Sequence, residues 1–268
     1  MAISRRQILG ALAGSALAAI PAWPGLAAVP ARRAEALFAE LDRWLATHLP
    51  EVAADLNPGA SDAALDRFAA AVDVVLPPDF RALYRWHDGQ KGRAVGGPWY
   101  GLGFQTLQQV QEDWSLWAKI VDDSVASDPE FLTEFQTSVV PGVVKPLYAS
   151  KRWVPFAQDW GGNHLGIDLD PDVKGVAGQV INFGRDEEDK RAIAPSITAF
   201  VEWMLGELRR GNFSIERRPD GRVFNTLRPP SQHFLDAIPT LFPGPGDRKR
   251  VKPAGTPAPA CEPGAAGS

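Results

Sequence analysis

The amino-acid sequence predicts a protein of the α+β class. Three short β-type segments follow one another at 152–156, 165–169 and 179–183, and turn residues rather than helices separate them. Consecutive strands of this kind are expected to pair in antiparallel fashion. Amphipathic helical patterns lie on both sides of the strands, beginning near Ala34, Ser61, Pro78, Thr106 and Ser196. Helices and strands are therefore expected in separate parts of the chain.

The helical patterns before the strands have recognisable ends. Leu37, Leu41 and Leu45 recur every four residues, which predicts an amphipathic helix that Pro50 ends. A second helix is expected after Ser61, with an apolar face formed by Leu65, Phe68 and Val72. The third begins at Pro77 and Pro78 and ends near Gly89, because proline is favoured at the start of a helix and glycine just after its end.

Capping signals mark the two longest helical patterns. Thr106 and Gln109 have the spacing of a capping box, and the apolar residues that follow include Trp114 and Trp117. Two tryptophans three residues apart on one helical face are expected to pack in the core. Ser196 opens the last strong helix. The sequence thus fixes where both helices begin.

Composition sets broad limits on function. The chain has 268 residues, of which 45% are hydrophobic and 22% charged, as in an ordinary globular protein with a sizeable core. A net charge of −4 favours neither nucleic acid nor an anionic membrane as a partner. Cys261 is the only cysteine, which excludes an intramolecular disulfide and a cysteine-based zinc site.

Residues 1–28 have the pattern of a twin-arginine signal peptide. Arg5 and Arg6 precede a moderately apolar stretch of small residues, and cleavage is expected near Ala27 or Ala28. Glycines and prolines interrupt this stretch, so we expect no stable membrane anchor. The predicted location is periplasmic or secreted, and cytoplasmic if the leader is not functional.

The segment from Trp153 to Pro171 holds most of the chemically informative residues. Gly161, Gly162 and Asn163 suit a tight connection between two strands. Around this connection, five polar or aromatic side chains are expected to come close together: Asp159, Trp160, His164, Asp168 and Asp170.

The residues of this segment also allow two chemical hypotheses, a calcium site and a hydrolase. Asp168, Asp170 and Asp172 resemble the start of a calcium loop, but Gln179 stands where an EF-hand has its bidentate glutamate. A hydrolase could pair a histidine as base with an orienting carboxylate, either His164 with Asp168 or His87 with Asp88. No supporting nucleophile motif accompanies such a pair. An exported hydrolase or metal-dependent enzyme using Asp168, Asp170 and His164 is therefore the alternative hypothesis, and no cofactor is expected.

The acidic run at 186–189 lies between two strand-like stretches. We interpret it as a solvated hairpin tip. The alternative interpretation is that it recognises a basic partner.

The order of these features resembles the SMI1/KNR4 (SUKH) family. The motifs that carry the resemblance are Leu76–Phe80, His87-Asp88-Gly89, Gly101–Phe104, the Trp153–Pro171 block, Gly178–Ile181 and the closing helix from Ser196. The resemblance covers residues 34–210. It implies an α+β fold with a central, mostly antiparallel sheet flanked by helices.

The resemblance also implies a function without catalysis. Members are protein-binding modules, either toxin-neutralising immunity proteins or regulators of cell-wall or envelope assembly. The expected partner is another protein, and the oligomeric state stays open. The candidate residues for binding the partner, or for shaping its cleft, are Trp86, Asp159, Trp160, Asn163, His164, Asp168 and Asp170. Beyond the domain, we expect an irregular extension at 211–243, with a hairpin indicated at 219–221 and a short apolar segment at 234–242, and then a disordered Pro/Gly/Ala-rich tail at 244–268.

Overall fold

The computed structural model describes residues 31–92, 94, 96–219, 221–227, 233–245 and 247. The predicted signal peptide at 1–28 lies outside these residues, as does most of the predicted tail at 244–268. Both stay predictions. Among the described residues, no helix combines the length and the apolar character needed to cross a membrane.

Seven α-helices form in the described part of the chain. Their bounds are α1 Ala31–His48, α2 Pro50–Asp55, α3 Asp62–Ala71, α4 Pro78–Trp86, α5 Leu107–Ser127, α6 Ile197–Arg209 and α7 Phe234–Leu241. The predicted starts are confirmed by hydrogen bonds: Ser61 caps α3, Thr106 and Gln109 form a capping box on α5, and Ser196 caps α6. Pro50 ends α1 as predicted but also begins α2, which the sequence analysis did not predict.

The strands form one central sheet and two small pairs. Their bounds are β1 Gly103–Phe104, β2 Thr137–Ser138, β3 Trp153–Gln158, β4 Asn163–Asp168, β5 Gln179–Gly184, β6 Asp189–Lys190, β7 Ala192–Ala194, β8 Ser214–Arg218 and β9 Gly221–Asn225. The central sheet has the order β1-β3-β4-β5-β7, with every neighbouring pair antiparallel. β2 and β6 pair in parallel. The predicted α+β class with a mostly antiparallel sheet is confirmed.

Both faces of the sheet are buried. On one face, side chains such as Phe156, Ile167 and Val180 join the large core formed with α1, α3, α4 and α6. On the other face, Trp153 and Phe183 join a smaller cluster that includes Trp117 of α5. Because successive strand residues point to opposite faces, the central strands β4 and β5 are buried along their whole length.

The described residues of the 211–243 segment form the hairpin expected at 219–221 and, in addition, a helix. These elements are the β8–β9 hairpin and α7, and both contribute to the main core through Phe224 and Phe234. The ring of Tyr100 stacks on both of these phenylalanines, with centroids 4.9 and 5.5 Å away. In addition, the guanidinium group of Arg191 donates through two nitrogen atoms to the carboxylate of Asp247. The extension therefore completes the fold, which local turn signals alone could not reveal.

Candidate protein-binding site

The turn between β3 and β4 is organised by Asp159. One carboxylate oxygen accepts hydrogen bonds from the backbone N–H groups of Gly161 (2.6 Å) and Asn163 (3.0 Å), and the other accepts from Asn163 Nδ2 at 2.8 Å. Burial alone would raise the pKa of Asp159, but these hydrogen bonds outweigh it and the pKa is lowered. The carboxylate thus stays charged at neutral pH and holds the turn closed.

Asn163 links this turn to the acidic turn, which comprises residues 185–188. Its Nδ2 also donates to Asp186, and its Oδ1 accepts from the Asp186 backbone N–H at 2.8 Å. The backbone N–H of Arg185 donates to the carbonyl of Gly162 at 3.1 Å. Two loops that are distant in sequence therefore form a single surface.

Trp160 stands at the tip of the β3–β4 turn, with a positive φ of 60°. Its side chain is an exposed large apolar group, with 60% of its surface open to solvent. A Cβ atom placed on Gly103 would lie 2.6 Å from Trp160 Cζ2, so the ring rests against the bare backbone of β1. The absence of a side chain at Gly103 is what gives the indole its position.

The acidic turn rests on a buried lysine. Lys190 is completely buried, and its ammonium group donates to the backbone carbonyl of Glu187. Burial lowers the pKa of Lys190 to about 8, although neighbouring carboxylates act in the opposite direction. Burial also raises the pKa of Glu187, whose carboxylate accepts from Asn182. Asp186 and Glu188 remain exposed. We call the surface formed by Asp159, Trp160, Asn163 and the acidic turn the tryptophan rim.

All of the tryptophan rim lies within the part of the chain that matches a family model. The model describes the SMI1 / KNR4 family (SUKH-1), and it matches residues 59–203, more than half of the chain. The chain belongs to the SMI1/KNR4 family.

Several curated fungal proteins are similar to this SMI1/KNR4 chain. The cell wall biosynthesis/cell cycle regulator smi1 of Schizosaccharomyces pombe is 30% identical over 229 residues, covering 80% of this chain and 44% of the relative. The glucan synthesis regulatory protein of Neurospora crassa is 29% identical, covering 66% and 38%. The cell wall assembly regulator SMI1 of Saccharomyces cerevisiae is 27% identical, covering 65% and 40%. The chain thus spans less than half the length of these relatives.

The predicted site residues of this SMI1/KNR4 domain do not form one cluster. Asp159, Trp160 and Asn163 meet at one end of β4, whereas Asp168 and Asp170 lie at or beyond its other end. Asp168 lies four residues after His164 along the strand, a rise of roughly 13 Å. The expectation that the segment brings all these side chains together is therefore corrected, because an extended strand holds its two ends apart.

At the far end of β4, Asp168 is fully buried and hydrogen-bonded. It accepts from Gln179 Nε2 at 3.0 Å and from the Asp170 backbone N–H at 3.1 Å. Burial nevertheless raises the pKa of Asp168 to about 6. Asp170 is exposed and forms an ion pair with Lys145 at 2.5 Å. These contacts fasten the end of β4 to β5 and to the preceding loop.

His164 is buried in the smaller core. Its ring lies against Trp117 and Phe183, with centroids 6.0 and 5.3 Å away. Burial lowers the pKa of His164, although Asp113 and Asp159 oppose the shift, and its Nδ1 has no hydrogen-bond partner among the described residues. The side chain is therefore a neutral core residue without access to a substrate.

The alternative enzyme hypothesis finds no support in this geometry. His164 and Asp168 are too far apart to act as a base and its orienting carboxylate, which requires hydrogen-bond contact. In the described residues, no three side chains of His, Cys, Asp or Glu are grouped in a way that could hold a metal ion. The calcium-like spacing of Asp168, Asp170 and Asp172 is thus not accompanied by convergent ligands.

Trp86 belongs to a different surface. It lies in α4, where its Nε1 donates to Asp42 of α1 at 2.9 Å and its ring stacks on Phe38 with centroids 5.0 Å apart.

Sequence reasoning missed two residues that support the tryptophan rim. Gly103 is part of the Gly101–Phe104 motif, and nothing local indicates that a distant indole covers it. Lys190 directly follows the acidic run that was interpreted as a solvated tip, yet its side chain is completely buried.

Proposed function

We propose that the chain is a non-catalytic protein-binding module whose contact surface is the tryptophan rim. The observation that carries the proposal is Trp160, an indole that is mostly exposed and yet positioned against Gly103. Tryptophan is enriched among residues that dominate the energy of protein interfaces, and a pre-positioned side chain loses little entropy on binding.

The charges of the tryptophan rim indicate the surface chemistry of its partner. The tryptophan rim carries the carboxylates of Asp159, Asp186 and Glu188, and the single basic group of the acidic turn, Arg185, lies 3.4 Å from Asp186. A surface with this balance suits a partner that presents a basic rim around an apolar pocket. We propose that this partner acts in cell-wall or glucan assembly, because the curated relatives are named as regulators of those processes.

The proposal is tested by domain replacement. Residues 31–247 of this chain would replace the matched segment of the Saccharomyces cerevisiae cell wall assembly regulator, and wall glucan content would be measured in cells lacking the native regulator. We expect the replacement to restore glucan content and Trp160→Ala to reduce that restoration by more than half, because the anchor of the interface is lost.

The matched control is Leu116→Ala, which removes a side chain of similar exposure, 64%, from α5. It is expected to behave as the unsubstituted chain. Full restoration by Trp160→Ala would contradict the tryptophan rim, and failure of the unsubstituted replacement would contradict the role in wall assembly. The toxin-neutralising role stays a prediction from the family resemblance, and the names of the curated relatives favour wall assembly.

A further inference from the structure

A groove separate from the tryptophan rim opens between α1, α4 and the first turn of α6. Its volume is about 460 Å³, within the range of small-ligand sites. Its lining includes the aromatic rings of Phe38 and Trp86, the carboxylates of Glu35, Asp42 and Asp79, and Thr198. None of the residues of the tryptophan rim contributes to it.

One wall of the groove is apolar and rigid. Phe38 and Trp86 stack with an interplanar angle of 11°. The indole N–H of Trp86 donates to Asp42, which is also 3.3 Å from His87 Nε2. These contacts fix both the aromatic wall and the orientation of the carboxylate beside it.

The polar lining carries an excess of negative charge. Glu35, Asp42 and Asp79 contribute three carboxylates, against one guanidinium from Arg85. That guanidinium is bound to Asp62, at 2.5 Å, outside the groove lining. Asp79 accepts from the backbone N–H groups of Phe80 and Thr198, and burial raises its pKa. Asp42 is left as a half-exposed carboxylate facing the groove.

Thr198 supplies an independent sign of a ligand. The residue is only 2% exposed, and its hydroxyl group has no hydrogen-bond partner among the described residues. A buried hydroxyl without a partner is unfavourable in the free protein, so a donor entering the groove would relieve that cost. Thr198 and Asp42 both line the groove.

We propose that this groove binds a cationic side chain, arginine or lysine, of a partner protein. The alkyl stem lies along the Phe38–Trp86 wall, and the charged head group donates to Asp42 and to Thr198 Oγ1. Long basic side chains combine an apolar stem with a multiply donating head, which matches an apolar wall beside acceptors. The inference rests on the proposed protein-binding function and adds a second point of contact to it.

The test uses three peptides and the full chain. The probes are acetyl-Gly-Arg-Gly-amide, the corresponding lysine peptide, and the citrulline peptide, which keeps the shape of arginine without its charge. Binding is followed by NMR through the indole N–H resonances of Trp86 and Trp160. We expect the two cationic peptides to shift the Trp86 resonance with a dissociation constant of order 1 mM, as for a single anchoring side chain, and the citrulline peptide to bind at least tenfold more weakly.

Two substitutions sharpen the test. Asp42→Asn keeps an acceptor for the Trp86 indole but removes the charge. It is expected to raise the dissociation constant of the arginine peptide at least tenfold. Asp66→Asn is the matched control, because Asp66 is an exposed carboxylate paired with Arg81 outside the groove. Thr198→Val is expected to leave the melting temperature equal or higher, since the hydroxyl has no partner, while weakening the peptide severalfold.

Three results would overturn the inference. The first is equal binding of the citrulline and arginine peptides, and the second is an arginine affinity that Asp42→Asn leaves unchanged. The third is a response of the Trp86 resonance only after residues 1–30 are removed, because that would make the preceding segment the occupant. The proposed function of the tryptophan rim is tested independently of the groove, because Trp160→Ala is expected to leave the shift of the Trp86 resonance unchanged.

Discussion

The two ends of β4 carry similar side chains in opposite environments. At one end, Asp159 and Asn163 close a turn that displays the exposed Trp160. At the other, Asp168 is completely buried and hydrogen-bonded to Gln179. Burial raises the pKa of Asp168 to about 6, whereas hydrogen bonds overcome partial burial and lower the pKa of Asp159.

This difference separates a structural role from a binding role. An aspartate in a strand–turn–strand segment can serve the backbone at either end, because its oxygens accept from nearby N–H groups in both cases. The end with Asp159 also holds a large aromatic side chain at the surface, Trp160, whereas the exposed apolar side chain beyond the other end is the smaller Val173. The proposed contact surface is therefore defined by the exposed indole and its support, and the carboxylates alone do not identify it.

The largest effect is expected from Asp168→Ala. The substitution removes an acceptor from the buried Gln179 amide, which keeps the Val143 carbonyl, and from the partly buried backbone N–H of Asp170, so the free energy of unfolding should fall by about 2 kcal/mol. Urea denaturation at pH 7 measures this. Asp170→Ala is the control at the same end of β4, and it should cost less than about 1 kcal/mol because it breaks only an exposed ion pair. Equal losses for the two substitutions would contradict the structural role of Asp168.

The raised pKa of Asp168 predicts a dependence of stability on pH. Its pKa is about 6 in the folded chain and 3.8 in the reference state, so the folded state binds more protons between these values. Stability should then decrease as pH rises from about 4 to 6, by up to about 3 kcal/mol from this group. Denaturation of the chain and of Asp168→Asn across this range isolates the contribution. A slope that persists unchanged in Asp168→Asn would assign the effect to other groups.

Local signals in the sequence were enough to predict the helix starts and the central strands. Ser61, Ser196 and the Thr106–Gln109 pair act within one helical turn, and the strand–turn–strand pattern around Gly161 is equally local. The α+β class followed because these elements are ordered along the chain in separate groups.

The candidate site was less predictable, since it depends on contacts between distant segments. The contact of Trp160 with Gly103 and the bonding of Asn163 with Asp186 join residues that are far apart in sequence. His164 and Asp168 are close in sequence, but the extended conformation of β4 places them far apart in space. The role of the 211–243 segment was missed for the same reason, because Phe224 and Phe234 contact a tyrosine at position 100.

A smaller change in stability than for Asp168→Ala is expected from Asp159→Ala, although its effect on binding should be large. The substitution removes hydrogen bonds at a half-buried turn where water can replace them, so it should cost about 1 kcal/mol, less than Asp168→Ala. Trp160 would lose its fixed position, and restoration of wall glucan in the domain replacement should fall nearly as far as with Trp160→Ala.

The double substitution Asp159→Ala with Trp160→Ala distinguishes positioning from direct contact. If Asp159 acts through the placement of the indole, removing it has little further effect once Trp160 is absent, and the two losses are not additive. Additive losses would instead show that the Asp159 carboxylate contacts the partner itself. Non-additive losses would mean that both Asp159 and Asp168 are structural residues that accept from backbone N–H groups. They would then differ only in that Asp159 also holds an exposed side chain in place.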